Sequence, residues 1–375
     1  MTSNIKDPIL VVLQLTGGND YLNTIIPYNN PIYYDNRPNL AIPQSDVLPI
    51  DDHFGFNPTL KPIKDLYDQG KVAVINGVGY PNPNRSHFRS MDIWHTCEPD
   101  KIGTEGWLGR VIRDLDPKSE NVLTGVNFGR GLPRSMALSG VPVASVAVLE
   151  TYGVLTGITE QPLRDQALDV FSKMYAPTLG KGPVMDYLGQ TGLDALKGAD
   201  ILKTAPAKYD SNVEYEDNPI AQNLQGIAKV LLAGMGTRVF NTQHIGYDTH
   251  ASQAPFHVKL WTDLSQAITD FFEDLRQHDS AENVIMFIFT EFGRRVRDNG
   301  AGTDHGSGGV ALVVGEAVHG GMYSEYPSLK EEDLLEGDLH FNFDYRGVYG
   351  TLAEKWLNLD PNAIIGGNFE QLAFV

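Results

Sequence analysis

The stretch that most constrains this chain runs from Val284 to Gly309. It opens with VIMFIFT, seven residues with almost no polarity and a bias to branched and aromatic side chains. Such a run reads as a strand buried on both faces. Glu291 follows at once in TEFGRR, and Asp304 and His305 come thirteen residues later in GTDHG. Carboxylate and imidazole groups at the carboxyl end of a buried strand, beside glycines that let backbones approach, are what a metal site in an open α/β sheet requires.

The rest of the chain is able to build such a sheet. With 375 residues, 42% of them apolar, it can bury a large core, and we expect a single α/β domain over residues 1–375. The net charge of −18 excludes a nucleic-acid partner and disfavours an anionic membrane surface, both of which need clustered Lys and Arg. Acidity on this scale favours solubility and suits bound cations. The lone cysteine, Cys97, excludes an internal disulfide and a multi-cysteine zinc cage. Any metal must therefore be held by Asp, Glu, His or hydroxyl groups. MTSNIKDPILVVLQL carries neither a twin arginine nor a cleavable apolar segment, and no stretch approaches the ~20 apolar residues of a membrane helix. The expected location is cytoplasmic, or periplasmic if an export signal has been removed.

Other strand-like runs end in polar groups. Ile9–Leu15 (ILVVLQL) leads into TGGND, where Asp20 is either a turn or helix cap or a ligand. VAVING from Val72 leads into GYPNPNRSHFRSMDIW, whose prolines impose an extended loop. Ser86 stands where a helix can begin. It is an ordinary N-cap or an activated nucleophile, flanked by Arg85 and His87. Thr237–Gln243 leads to GYDTH, in which Asp248 and His250 are either a turn acid and a surface imidazole or one chelating pair. Trp107–Leu115 reads as a helix, and Gln253–Gln277 as a long amphipathic one with His257 and His278 exposed. Residues 160–236 become helical, near Pro162–Tyr175, Pro183–Lys203 and Pro219–Gly234, and suggest an inserted cap; an acidic loop within them reads as solvated. A strand Val310–Gly315, a Gly-rich hairpin near His319–Tyr323, an acidic linker Lys330–Asp338 and a helix near Tyr345–Leu357 close the chain.

Asp20, Ser86, the Asp248–His250 pair and Glu291 all follow apolar runs. The carboxyl ends of parallel strands share one edge, so these groups, with Asp304 and His305, make an O/N donor set for one or two divalent ions such as Zn or Mn.

In their order, GGND, YPNPNRSHFRSMDIW, GYDTH, TEFGRR and GTDHG resemble a bacterial family named only as a domain of unknown function. That family is similar to the alkaline phosphatase-like superfamily, with its sulfatases and cofactor-independent phosphoglycerate mutase. The resemblance covers nearly the whole chain, although the family's usual twin-arginine export signal is absent from it. It implies a three-layer α/β/α sandwich with a largely parallel sheet. It also implies that Asp20 is the first metal-binding acid, Ser86 the nucleophile, and Asp248 with His250 a ligand pair at closer spacing than usual. Asp304–His305 resembles the mutase motif, while Glu291 sits where sulfatases place theirs. A final ligating histidine is usual downstream, where His319 is the candidate.

The expected activity is two-metal hydrolysis of a phosphate or related ester in a small anionic substrate, with Arg85 or Arg294 gripping non-bridging oxygens. Sulfatase, phosphotransferase and non-catalytic metal-binding readings share these residues. Cys97-Glu98-Pro99-Asp100-Lys101 departs from the sulfatase C/S-x-P-x-R motif by its lysine. No G-x-S-x-G, P-loop or dinucleotide fingerprint occurs.

Overall fold

The computed structural model describes residues 7–153, 158, 160–174 and 183–375. In chain order the strands are β1 (Ile9–Thr16), β2 (Ile25–Ile26), β3 (Leu48–Pro49), β4 (Gly55–Phe56), β5 (Val72–Gly79), β6 (Gly125–Phe128), β7 (Ala144–Val146), β8 (Val239–Ile245), β9 (Val284–Thr290), β10 (Gly309–Gly315), β11 (Gly321–Tyr323) and β12 (Phe343–Asp344). The helices are α1 (Pro31–Asn36), α2 (Lys61–Asp68), α3 (His87–Thr96), α4 (Trp107–Leu115), α5 (Gln161–Met174) and α6 (Pro183–Leu202). They continue as α7 (Ala205–Lys208), α8 (Pro219–Leu232), α9 (Gln253–Gln277), α10 (Tyr345–Thr351) and α11 (Pro361–Ile365).

Nine strands form one sheet in the order β11-β5-β10-β9-β1-β8-β6-β7, with β12 also paired to β5. All its ladders are parallel except those β10 makes with β5 and β9. Side chains alternate across a strand, and the two sheet faces bury separate cores. On one, Val11, Leu13, Met286 and Ile288 pack with Trp261, Leu264 and Phe271 of α9. On the other, Val12, Ile285, Phe287 and Phe289 meet Trp94 of α3, Trp107 of α4 and Tyr349 of α10. Each large apolar side chain buried this way contributes about 1.5–3 kcal/mol, so the two layers of helix are fixed by the strand alternation itself. The result is an α/β protein with helices on both faces of a mostly parallel sheet.

The topology places the site. The carboxyl ends of β1, β5, β8 and β9 lie along one edge. Because β10 runs antiparallel between β5 and β9, its amino end lies there too. The loops after four strands and the loop before a fifth therefore converge.

Several local expectations are revised. The Gly-rich hairpin near His319–Tyr323 is instead β11, parallel to β5; β10 already has β5 and β9 on its two edges and offers no side for a hairpin. His257 is buried, its Nε2 3.3 Å from Asn19 Oδ1, and burial pushes its pKa down to about 4. His278 is half-buried, bonded to the Asp274 and Asp210 carbonyls. The acidic loop after α7 is tied down: Tyr209, Ser211 and Tyr215 all donate to buried Asp274 of α9. The helix expected near Tyr345–Leu357 is α-helical only to Thr351 (α10) and continues as a π turn, Leu352–Trp356. The described part of residues 160–236 is largely helical, α5 to α8; Tyr175 lies outside the described residues.

Candidate metal centre

β1 ends at Thr16, and Gly17 then turns with φ +126°; a Cβ there would lie 2.2 Å from the Asp248 amide nitrogen. Glycine is thus what lets the loop after β1 lie against the loop after β8 and present Asp248. Gly302 does the same for the loop before β10, since its Cβ would meet the Thr249 carbonyl at 2.2 Å. These close approaches bring GYDTH and GTDHG into one cluster.

Three histidines and one aspartate meet there. His305 Nε2 is 3.0 Å from Asp248 Oδ1 and 3.0 Å from His250 Nε2. His250 Nε2 is 3.1 Å from Asp248 Oδ1, and His87 Nε2 is 3.4 Å from Asp248 Oδ2. Ligand atoms of His87, Asp248 and His305 all lie within 4.8 Å of one another. The opposite nitrogen of each ring is occupied. His87 Nδ1 is 2.8 Å from Glu291 Oε1, His250 Nδ1 is 3.0 Å from Asp304 Oδ1, and His305 Nδ1 is 2.8 Å from the Arg85 carbonyl. A carbonyl or carboxylate oxygen only accepts, so each Nδ1 carries the proton and donates it. In the neutral rings every Nε2 is then a bare lone pair facing other lone pairs and a carboxylate. That assembly is repulsive unless protons or a cation lie among its members.

The donor chemistry suits a divalent cation. Spacings of 3.0 to 3.4 Å between donor atoms match the edge of a ligand tetrahedron at a zinc–nitrogen distance of ~2.0–2.1 Å, about 3.3 Å. Histidine ligands that donate their other nitrogen to a carboxylate or carbonyl are the usual way a metal site orients its rings. His87 Nε2 is itself a buried nitrogen with no hydrogen-bond partner among the described residues.

Electrostatics support the arrangement. Burial raises the Asp248 pKa, but the Arg294 guanidinium, donating to its Oδ1 at 2.8 Å, outweighs burial and the carboxyl is held at about 2. His87 is raised, chiefly by its hydrogen bond to Glu291 and against the effect of burial. The His250 hydrogen bond lowers Asp304.

Not all the residues singled out from the sequence join the cluster. Asp248, His250 and His305 do, and His87, expected beside the nucleophile, supplies a fourth donor. Glu291 is fully buried and holds His87, while also accepting from the Gly17 amide at 2.9 Å. Asp304 holds His250. Asp20 faces inward to Arg37, which grips both its oxygens at 2.6 and 3.1 Å, and Gln253 donates to it as well; the Arg37 charge lowers its pKa against the effect of burial. Arg294 is buried and donates to the carbonyls of Gly17, Gly18, Tyr247 and Thr303 and to Asp248 Oδ1. It therefore builds the site's floor. Arg85 is half-buried and ion-paired to Asp338 at 2.7 Å.

Ser86 is exposed at the N-cap of α3, and its hydroxyl makes no capping hydrogen bond. His319 lies before β11, which enters alongside Ala73, at the amino end of β5 and so at the opposite sheet edge. Cys97 is buried past the end of α3, and burial pushes its thiol up to about 12. Reading the sequence missed Arg37 and Asp338. Nothing local marks Arg37 in its loop, while Asp338 sits in an acidic run that resembles a solvated linker.

Residues 189–363 match a family described as a protein of unknown function, DUF1501. No curated protein matches the sequence. Among solved structures, the chain is similar to the PsFucS1 sulfatase from Pseudoalteromonas sp., at 11% identity and a TM-score of 0.40, over 98% of this chain and 71% of that one. It is also similar to a protein in the alkaline phosphatase superfamily from Vibrio parahaemolyticus, at 9% identity and a TM-score of 0.34, over 86% of this chain and 64% of that one. A third is the C-terminal periplasmic domain of EcEptC from Escherichia coli, at 8% identity and a TM-score of 0.40, over 98% of this chain and 89% of that one. Among the described residues, no helix is long and apolar enough to cross a membrane.

Proposed function

We propose that the protein is a metal-dependent hydrolase of a phosphate or related ester, with one divalent ion held by His87, Asp248, His250 and His305. The observation that carries this reading is the convergence of three imidazole Nε2 atoms on one carboxylate, with all three Nδ1 atoms tethered elsewhere. Such an ion would supply Lewis acidity toward an anionic oxygen and would lower the pKa of a nearby hydroxyl.

The chain's own groups supply the rest. Three neutral imidazoles and one carboxylate leave a divalent site net positive, which favours an anion. The amino end of α3, which Ser86 leaves without a side-chain cap, offers its first-turn N–H groups and the positive end of the helix dipole, a second attraction for phosphate or sulfate oxygens. Ser86 is the nucleophile in this reading. It stands between Arg85, whose carbonyl orients His305, and His87, so its hydroxyl rides on the segment that builds the centre. Arg85 is the guanidinium for a non-bridging oxygen, because its Nη1 has no partner among the described residues while Arg294 is committed to the floor.

Metal analysis and kinetics of Ser86→Ala against aryl phosphate mono- and diesters and aryl sulfates test the reading. Turnover should fall by about a thousandfold or more if the covalent route is removed, with metal content unchanged. Unchanged turnover removes Ser86 as nucleophile. A flat panel despite bound metal favours a non-catalytic metal protein.

A further inference from the structure

Beside the metal centre, one face of the sheet breaks the pattern of its neighbours. Gln14 and Thr16 of β1, Asn241 and Gln243 of β8, Asn127 of β6 and Ser145 of β7 lie on adjoining strands. Gln14 pairs in register with Gln243, and Asn127 with both Asn241 and Ser145. Residues paired across a parallel sheet project to the same face, so the six form one polar row. It spans three inter-strand steps, roughly 14 Å. On the other face the same strand ends carry Leu13, Leu15, Phe128 and Val146.

This row is not internally satisfied. Asn241 Nδ2 donates to Asn127 Oδ1 at 2.8 Å, and Asn127 donates to the Gly131 carbonyl at 2.9 Å. Gln14, only 2% exposed, meets His95 Nε2 through its Oε1 at 2.8 Å. Its Nε2 has no partner among the described residues, and neither has Thr16 Oγ1. Whichever way the Gln14 amide is turned, only one of its ends is matched. A buried unmatched polar group is destabilising, and two on one strand, two residues apart, call for a ligand.

We infer that this row is a binding groove for an uncharged, hydroxyl-rich group such as a sugar ring or polyol. Neutral amides and hydroxyls offer donors and acceptors together, as hydroxyl groups require. Arg134, whose charge acts on His95, is itself paired with Asp92 at 2.7 Å. Within the row Gln243 and Ser145 are half-buried, and Ile245, in register with Thr16, and Leu132 and Val148, which follow β6 and β7, are exposed aliphatic side chains, a surface for the apolar face of a ring. Thr16 leads directly into Gly17, which abuts Asp248, so the group extends from the metal centre. Its role as the alcohol part of a scissile ester rests on the hydrolase reading above; its binding does not.

The test is saturable binding of methyl hexopyranosides and myo-inositol, measured by ligand-observed NMR on the full chain, with and without added zinc. Wild type should bind at least one probe, and Thr16→Val and Gln243→Leu should each weaken it roughly tenfold. Thr16→Val is isosteric and removes an unmatched hydroxyl, so its melting temperature should hold or rise, which separates lost recognition from lost folding. Metal content should stay unchanged in both variants. No saturable binding by wild type, or equal binding by both variants, overturns the groove. So does a crystal grown with a saturating probe that shows only water on Gln14. Probe binding without metal uptake or turnover would leave the groove standing and remove the hydrolase reading instead.

Discussion

Asp20 and Asp248 follow neighbouring parallel strands at the same sheet edge, and both come after glycine-bearing turns. Their fates differ. Asp20 is 1% exposed, and the chain provides its counter-charge: Arg37 is equally buried and also bonds the carbonyls of Arg295 and Val296. Asp248 is half-exposed; buried Arg294 meets its Oδ1 at 2.8 Å, and around it the chain also places imidazoles with their lone pairs free. A buried acid gripped on both oxygens by a buried guanidinium is part of the scaffold. An acid ringed by bare nitrogens is arranged for a cation from outside.

The strongest attempt to break this distinction is Asp20→Asn. Removing one partner of a buried pair leaves Arg37 uncompensated and should cost about 3–5 kcal/mol, read as a shift in the urea midpoint. Metal stoichiometry should not change. Metal loss without a large stability loss would make Asp20 a ligand after all.

A smaller effect is expected at Glu291→Gln. The amide can still accept from His87 Nδ1 but no longer carries charge, so metal affinity should drop by about 10–100-fold. Isothermal titration with zinc decides it. No change would mean that His87 does not bind through Nε2.

The smallest effect is on pH dependence. The His87 pKa is raised from 6.5, so protons compete with metal at this ring at higher pH than for a free imidazole, and apparent affinity should fall as pH drops through that raised value. In metal-free protein the sign reverses for stability. The His87–Glu291 contribution is fully present below the unfolded pKa of about 6.5 and is lost as pH rises through the folded one. Urea midpoints measured across that range with chelator present should decline on the alkaline side, and Glu291→Gln should flatten the decline.

Much of the site could be read in the sequence because it depends on strand ends. The apolar runs at Ile9, Val72 and Val284 mark strands of the sheet, and the groups after them fall on one edge. What the sequence could not rank was how near each acid lies to the middle of the histidine cluster. Glu291 and Asp304 each sit one bond further out, holding a ring that reaches the centre. Spacing along the chain cannot separate a ligand from the group that orients it. The last histidine was sought downstream at His319, but β11 pairs parallel to β5 and leaves His319 at the far edge. His87, upstream, is the histidine that stands in the cluster with Asp248 and His305.

The sequence by itself determined the α/β class and the edge where chemistry gathers, because alternation, strand length and glycine turns are local properties with local physical causes. The tertiary structure decided everything that turns on pairing between distant residues: Arg37 with Asp20, Glu291 with His87, and the unmatched amide of Gln14 beneath His95. Whether a buried polar group is satisfied depends on what folds against it, and those partners lie up to hundreds of residues away in the chain.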